Sequence, residues 1–69
     1  MDYNYSKLQG RIKEKGFTQE SLAAEIPMDR SVLSLRLNNH RPFRIGEMER
    51  ICQILDISLK DVDEYFFVH

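Results

Sequence analysis

Hydrophobic positions along the 69 residues recur at helical spacing, and Gly, Pro and Asn mark the breaks between the runs. Tyr5, Leu8 and Ile12 fall at i, i+3 and i+7, with Lys7, Arg11, Lys13 and Glu14 on the other side. That predicts a first helix over about 5–15, with Asn4 or Asp2 as its N-cap. Gly10 in its middle weakens it by up to ~1 kcal/mol relative to alanine and marks either a close helix crossing or plain tolerance. Gly16 supplies the positive φ that stops the helix, and Phe17 folds back onto the last turn.

Thr18 then caps a second helix over about 19–26 that buries Leu22, Ala23 and Ile26. It must end at Ile26, because the residue before a proline is pushed out of the α region. Met28 plugs the core from the turn. Asp29 caps a third helix, about 30–38, which Asn39 ends in the left-handed conformation. At ~100° per residue, Val32, Leu33, Arg36 and Leu37 share the inward arc. The outer arc holds Ser31, Ser34, Leu35 and Asn38, with Arg30 at its edge.

A fourth helix is predicted over 45–55, burying Ile45, Met48, Ile51, Cys52 and Leu55, and this is the clearest amphipathic pattern in the chain. Ser58-Leu59-Lys60-Asp61 resembles a capping box and opens a fifth helix that buries Leu59 and Val62. Tyr65-Phe66-Phe67-Val68 carries more apolar surface than a disordered tail should. The expectation is one all-α domain of five helices. A chain of this length buries only about 60% of the surface its unfolded form exposes, so a large enclosed active site is not expected.

Composition changes this picture little. Hydrophobic residues at 42% and charged residues at 30% fit a water-soluble chain, and no stretch is apolar for long enough to cross a membrane or serve as a signal peptide. The expected compartment is therefore the cytoplasm. The single cysteine, Cys52, has no internal disulfide partner and reads as a small buried hydrophobe; His40 and His69 are isolated, so no metal or other cofactor is expected. No glycine-rich phosphate loop, nucleophile elbow or paired-histidine motif frames the serines and acids, so no enzyme and no catalytic residue is expected.

Charge is informative in its distribution. The net charge of −1 and a pI near 6.1 argue mildly against nucleic acid. Yet Arg36, Arg41 and Arg44 occupy 36–46 without an acid, whereas 56–69 carries four acids against Lys60 alone. Such asymmetry can orient a small protein on a phosphate surface, although an ordinary mixed surface has the same composition.

Two short helices joined by a turn over 19–39, the second with a polar outer arc, have the layout of a helix-turn-helix DNA reader. With these residues placed, the chain resembles the phage repressor and Cro-type helix-turn-helix family. More narrowly it is similar to small phage-encoded Cro-like regulators that begin Tyr-x-Tyr-Ser-Lys-Leu and end near Tyr-Phe-Phe. The matching stretches are Tyr3 to Leu8, Phe17 to Ala23, Leu33 to Asn39, Arg41-Pro42-Phe43 and Tyr65-Phe66-Phe67. The resemblance implies a lambda-repressor-like DNA-binding domain over 1–69 whose third helix enters the major groove of an operator. It departs from the wider family at Pro27, where glycine is usual, and at Arg36, where an aliphatic residue is usual.

Carried over by position, Arg30, Ser31, Ser34 and Leu35 lie against base edges, and Gln19, Asn38, Asn39, His40, Arg41 and Arg44 hold the DNA backbone. Arg30 can pair with guanine N7 and O6, a contact that contributes ~1 to 3 kcal/mol of discrimination; the alternative is a solvated side chain or a partner for Asp29. Leu35 can meet a thymine methyl or serve a protein contact. Arg36 points inward and can reach helix carbonyls or Glu47. Such domains act as dimers on half-sites about 34 Å apart. Tyr65, Phe66, Phe67 and Val68 are the candidate dimer contact, with burial against Tyr3 and Tyr5 as the alternative. A second functional reading is an antirepressor or co-repressor that uses the same fold to bind another regulator.

Overall fold

The computed structural model describes residues 2–69. Five helices follow one another: α1 (Ser6–Glu14), α2 (Gln19–Glu25), α3 (Arg30–Leu37), α4 (Ile45–Leu55) and α5 (Val62–Phe66), the last entered through a single 3₁₀ turn, Leu59–Asp61. No strand occurs among the described residues. The helices wrap one core into a body of 26 × 25 × 20 Å, with a radius of gyration of 10.8 Å. Each helix sends at least one side chain to its centre: Leu8, Leu22, Leu33, Ile51, Leu55 and Phe66 are all at or below 1% exposure. None of the helices is long and apolar enough to cross a membrane.

Capping chemistry accounts for most of the helix boundaries. The N-cap of α1 is Tyr5, which makes no side-chain capping bond, rather than the expected Asn4 or Asp2, although Asn4 Oδ1 accepts the Ser6 N–H from one residue further out. At the start of α2, Thr18 and Ser21 exchange side-chain-to-backbone bonds: Ser21 N–H donates to Thr18 Oγ1 at 3.0 Å, and Thr18 N–H to Ser21 Oγ at 2.9 Å. Three helices end on a left-handed residue, Gly16 after α1, Asn39 after α3 and Asp56 after α4. Beyond each, a 6→1 bond closes the last turn: Phe17 N–H to the Ile12 carbonyl, His40 N–H to Leu35, and Ile57 N–H to Cys52. Asp29 occupies the cap position of α3 in extended conformation, but its side chain makes no capping bond. Ser58 likewise makes none, so the expected capping box before α5 is not formed.

One backbone expectation and two packing expectations need correction. Ile26 keeps helical dihedrals, φ −57° and ψ −44°, although Pro27 follows it. Its N–H is still held by the Leu22 carbonyl; the helix ends there and its side chain is buried, both as expected, but without leaving the α region. Ile45, expected in the core, is 74% exposed, because it sits in the first turn of α4 where the apolar stripe runs past the helices that cover the rest of it. Leu59 is 61% exposed, because the 3₁₀ turn replaces the first α turn and rotates it off the core face.

Cys52 is buried, and burial pushes its thiol above the usual range, so it stays a neutral apolar filler. Two polar contacts join elements end to end. Arg11 of α1 caps the C-terminus of α4, its Nε 3.0 Å from the Leu55 carbonyl and a second nitrogen 3.1 Å from that of Asp56. Arg36 of α3 meets Glu47 of α4 at 2.7 Å, confirming one of the two partners its inward position allowed.

Candidate nucleic-acid interface

The surface singled out by sequence is built around α3. Leu33 and Leu37 are buried, Val32 and Arg36 are half-buried, and that anchoring leaves Arg30, Ser31, Leu35 and Asn38 exposed with Ser34 half-exposed. Leu35, at 42% exposure, is an aliphatic group held in water by the same geometry. The helix sides therefore separate as the periodicity required. Asn38 is turned back on its own helix: its Nδ2 donates to the Ser34 carbonyl at 2.8 Å and lies 3.3 Å from Ser34 Oγ.

At the start of α3 the structure brings Gln19 and Arg30 together. They line one open cleft of about 430 Å³ with Thr18 and Glu20. The carboxylate of Glu20 belongs to that cleft, so an anion there would need the Arg30 guanidinium to outweigh it.

At the other end of α3, Asn39 departs from its expected role. Its Oδ1 accepts the Tyr3 N–H at 2.9 Å and its Nδ2 donates to the Tyr3 carbonyl at 2.9 Å. Both halves of the amide are spent on the N-terminal segment, and the side chain is not available as a DNA backbone contact. Its left-handed backbone, φ 64°, turns the side chain away from the helix toward that segment. His40 and Arg41 follow directly, both exposed, and line a cleft of about 200 Å³ with Tyr3, Tyr5, Asn39 and Pro42.

Arg44 is placed elsewhere. It lines a cleft of about 380 Å³ with Pro27 and Met28 of the α2–α3 turn, Glu47 and Arg50. Arg50 is a second guanidinium that sequence reading passed over; its Nε lies 3.3 Å from the Glu25 carbonyl. Its only signal was its position six residues after Arg44 on the polar side of α4.

Charge pairing divides the cations. Lys7, Arg11, Lys15 and Arg36 each have an acidic partner, respectively Glu64, Glu14, Asp56 and Glu47. Arg30 and Arg41 have none among the described residues, and Arg44 forms no ion pair there although its charge acts on the nearby Glu47 carboxyl. Lys13, Arg50 and Lys60 likewise form no ion pair, so half of the cations without one lie on α3 or the segments beside it and half lie elsewhere.

An aromatic series backs the His40–Arg44 loop. The His69 ring stacks on Tyr3 at 4.7 Å, Tyr3 lies 6.2 Å from Tyr5, Tyr5 meets Phe43 edge-on at 5.4 Å, and Phe43 meets Phe66 edge-on at 5.2 Å. Burial, with Tyr3 alongside, pushes the Tyr5 hydroxyl above its usual 10.0, so it stays neutral. Phe66 is 1% exposed and cannot be a dimer contact, because its ring completes the core. Tyr65 is half-buried beneath the Lys7 ammonium, whose nitrogen stands 4.9 Å from the ring centre. Phe67 and Val68 remain exposed at 44% and 41%. Tyr3 packs edge-on to Phe67, so part of this segment lies against the N-terminal aromatics, as the alternative to a dimer contact allowed.

No group of three or more His, Cys, Asp or Glu side chains could hold a metal ion among the described residues. The molecule is thus an all-helical domain presenting one short helix flanked by unpaired cations. Over residues 1–69 the chain matches the family described as a protein of unknown function (DUF739), and it belongs to that family. No curated protein matches it.

Proposed function

We propose that this protein is a sequence-specific DNA-binding transcriptional regulator, a Cro-like repressor of a phage or prophage acting in the bacterial cytoplasm. In this reading the domain is lambda-repressor-like and α3 lies in the major groove of an operator. Arg30, Ser31, Ser34 and Leu35 face base edges, while Gln19, His40, Arg41 and Arg44 neutralise or hydrogen-bond the backbone. One observation carries the reading: α3 is pinned by Leu33 and Leu37, its outer arc is open, and Arg30, Arg41 and Arg44 around it form no ion pair among the described residues. Cations outside internal ion pairs suit phosphate, since each contact releases a condensed counterion.

A domain with so short a reading helix makes few base contacts, so it acts as a homodimer on paired half-sites. Phe67 and Val68 are the exposed apolar residues of the C-terminal segment suited to that contact. Fluorescence anisotropy with labelled duplex from the region flanking its own gene tests the reading, with Arg30→Ala and Arg41→Ala as controls. Both substitutions weaken binding, and Arg30→Ala also relaxes base preference. A second reading, an antirepressor or co-repressor that binds another regulator, draws support from the outward Ile45 and Leu59. It gains ground if the duplex is not bound even at low salt.

A further inference from the structure

Between the end of α3 and the basic loop lies a half-buried residue whose side chain belongs to neither the core nor the helix. Asn39 holds the backbone of Tyr3, 36 positions away, by two hydrogen bonds of 2.9 Å each, one to the amide and one to the carbonyl. Its own backbone, at φ 64°, is the last left-handed step of α3, and the next N–H, that of His40, closes on Leu35 at 2.9 Å. The clamp therefore fixes where the chain leaves the helix, and His40 and Arg41 are the first two residues after it. The clamped segment also forms the opposite wall of their cleft, through Tyr3 and Tyr5. Tyr3 is in turn held by His69 and Phe67.

We infer that Asn39 is a positioning residue, and that its clamp on the Tyr3 backbone orients His40 and Arg41 toward a phosphate of the DNA backbone. The inference rests on the DNA-binding reading above and deepens it. An unclamped loop would sample many directions, and a cation that must be ordered on binding loses part of its contact energy to conformational entropy. The N-terminal segment thereby becomes part of the DNA-binding apparatus without touching a base.

The test is Asn39→Gly, which removes both hydrogen bonds and keeps a residue at ease with positive φ. Anisotropy with the labelled duplex is recorded across a salt series. Affinity falls about tenfold, and the slope of log K against log salt becomes shallower by about 1 to 2, the loss of one or two phosphate contacts. Base preference set by Arg30 does not change. In a His40→Ala, Arg41→Ala background, Asn39→Gly changes affinity by less than about twofold, because the groups it orients are gone. Circular dichroism checks that the variant is folded. If it is not, Tyr3→Pro against Tyr3→Ala decides, since the two differ in the Tyr3 N–H that Asn39 accepts, and Tyr3→Pro alone shows the shallower slope.

A wild-type slope in Asn39→Gly, or an undiminished effect in the background lacking His40 and Arg41, overturns this inference and leaves the DNA reading standing. Failure of the unaltered protein to bind the duplex overturns both.

Discussion

The Nε of Arg36 lies 2.7 Å from Oε1 of Glu47, and that same carboxylate oxygen accepts the Arg44 N–H at 2.9 Å. One carboxylate thus joins the last turn of α3 to the first turn of α4, across the loop that carries His40 and Arg41. The pair is only 11% and 18% exposed at its side chains. Burial raises the Glu47 carboxyl, but the bonds from Arg36 and the Arg44 N–H, with both guanidinium charges, outweigh it and hold it below the usual 4.5. Arg36 thereby settles its place: it is a strut, directed away from the outer arc.

Glu47→Gln removes the charge while keeping the shape. The substitution lowers stability at pH 7 by about 1.5 to 3 kcal/mol, the range for a hydrogen bond to a charged group. Because the folded-state carboxyl is more acidic than the unfolded one, its contribution is fully present above the unfolded value. It is lost as pH falls through the lowered folded value. Urea unfolding at neutral pH and at successive points below 4.5 shows the gap between wild type and variant closing as the solution is acidified.

Arg11→Met keeps the apolar stem and removes the guanidinium that covers the Leu55 and Asp56 carbonyls. The loss is about 1 to 2 kcal/mol, discounted from a fully buried charged bond because the site is only partly shielded. Thermal unfolding reads it as a drop of about 4 to 16 °C for a domain of this size. Duplex affinity at a temperature where both proteins are folded does not change, since Arg11 serves the joint between α1 and α4.

Two adjacent phenylalanines separate folding from association. Phe66→Ala empties a site that is 1% exposed and destabilises by about 3 to 5 kcal/mol. Phe67→Ala alters a ring that is 44% exposed, so stability changes by less than about 1 kcal/mol. Sedimentation equilibrium then shows Phe67→Ala more monomeric than wild type, as the proposed dimer contact requires.

Much of this arrangement was legible from residue spacing. The bounds of α4 fall where the apolar stripe and the loop residues put them, at Ile45 and Leu55, and Gly16 and Asn39 stop their helices with positive φ. Periodicity gives the face of a helix but not how far along it a neighbour reaches, which is why Ile45 and Leu59 were assigned to the core and lie in water. Asn39 was misread for a related reason. Its need for a left-handed backbone is a local property, whereas its partner, the Tyr3 backbone, is set by how the N-terminal segment packs on the finished fold. Arg44 and Arg50 belong to the start and middle of α4, and what the spacing does not encode is that Pro27 and Met28 of the α2–α3 turn close the cleft they line.

The salt dependence of duplex binding, with cations removed one at a time, tests the proposed function most directly. Arg30→Ala, Arg41→Ala and Arg44→Ala are compared with Lys60→Ala, a free cation in the acidic C-terminal stretch. Each of the first three should weaken binding at near-physiological salt by about 1 to 3 kcal/mol or make the salt slope shallower by about 1, according to whether it meets a base or a phosphate. Lys60→Ala should bind as wild type does. Equal effects from all four, or no binding by the wild type at low salt, would contradict a DNA-reading role for α3 and its flanking loop.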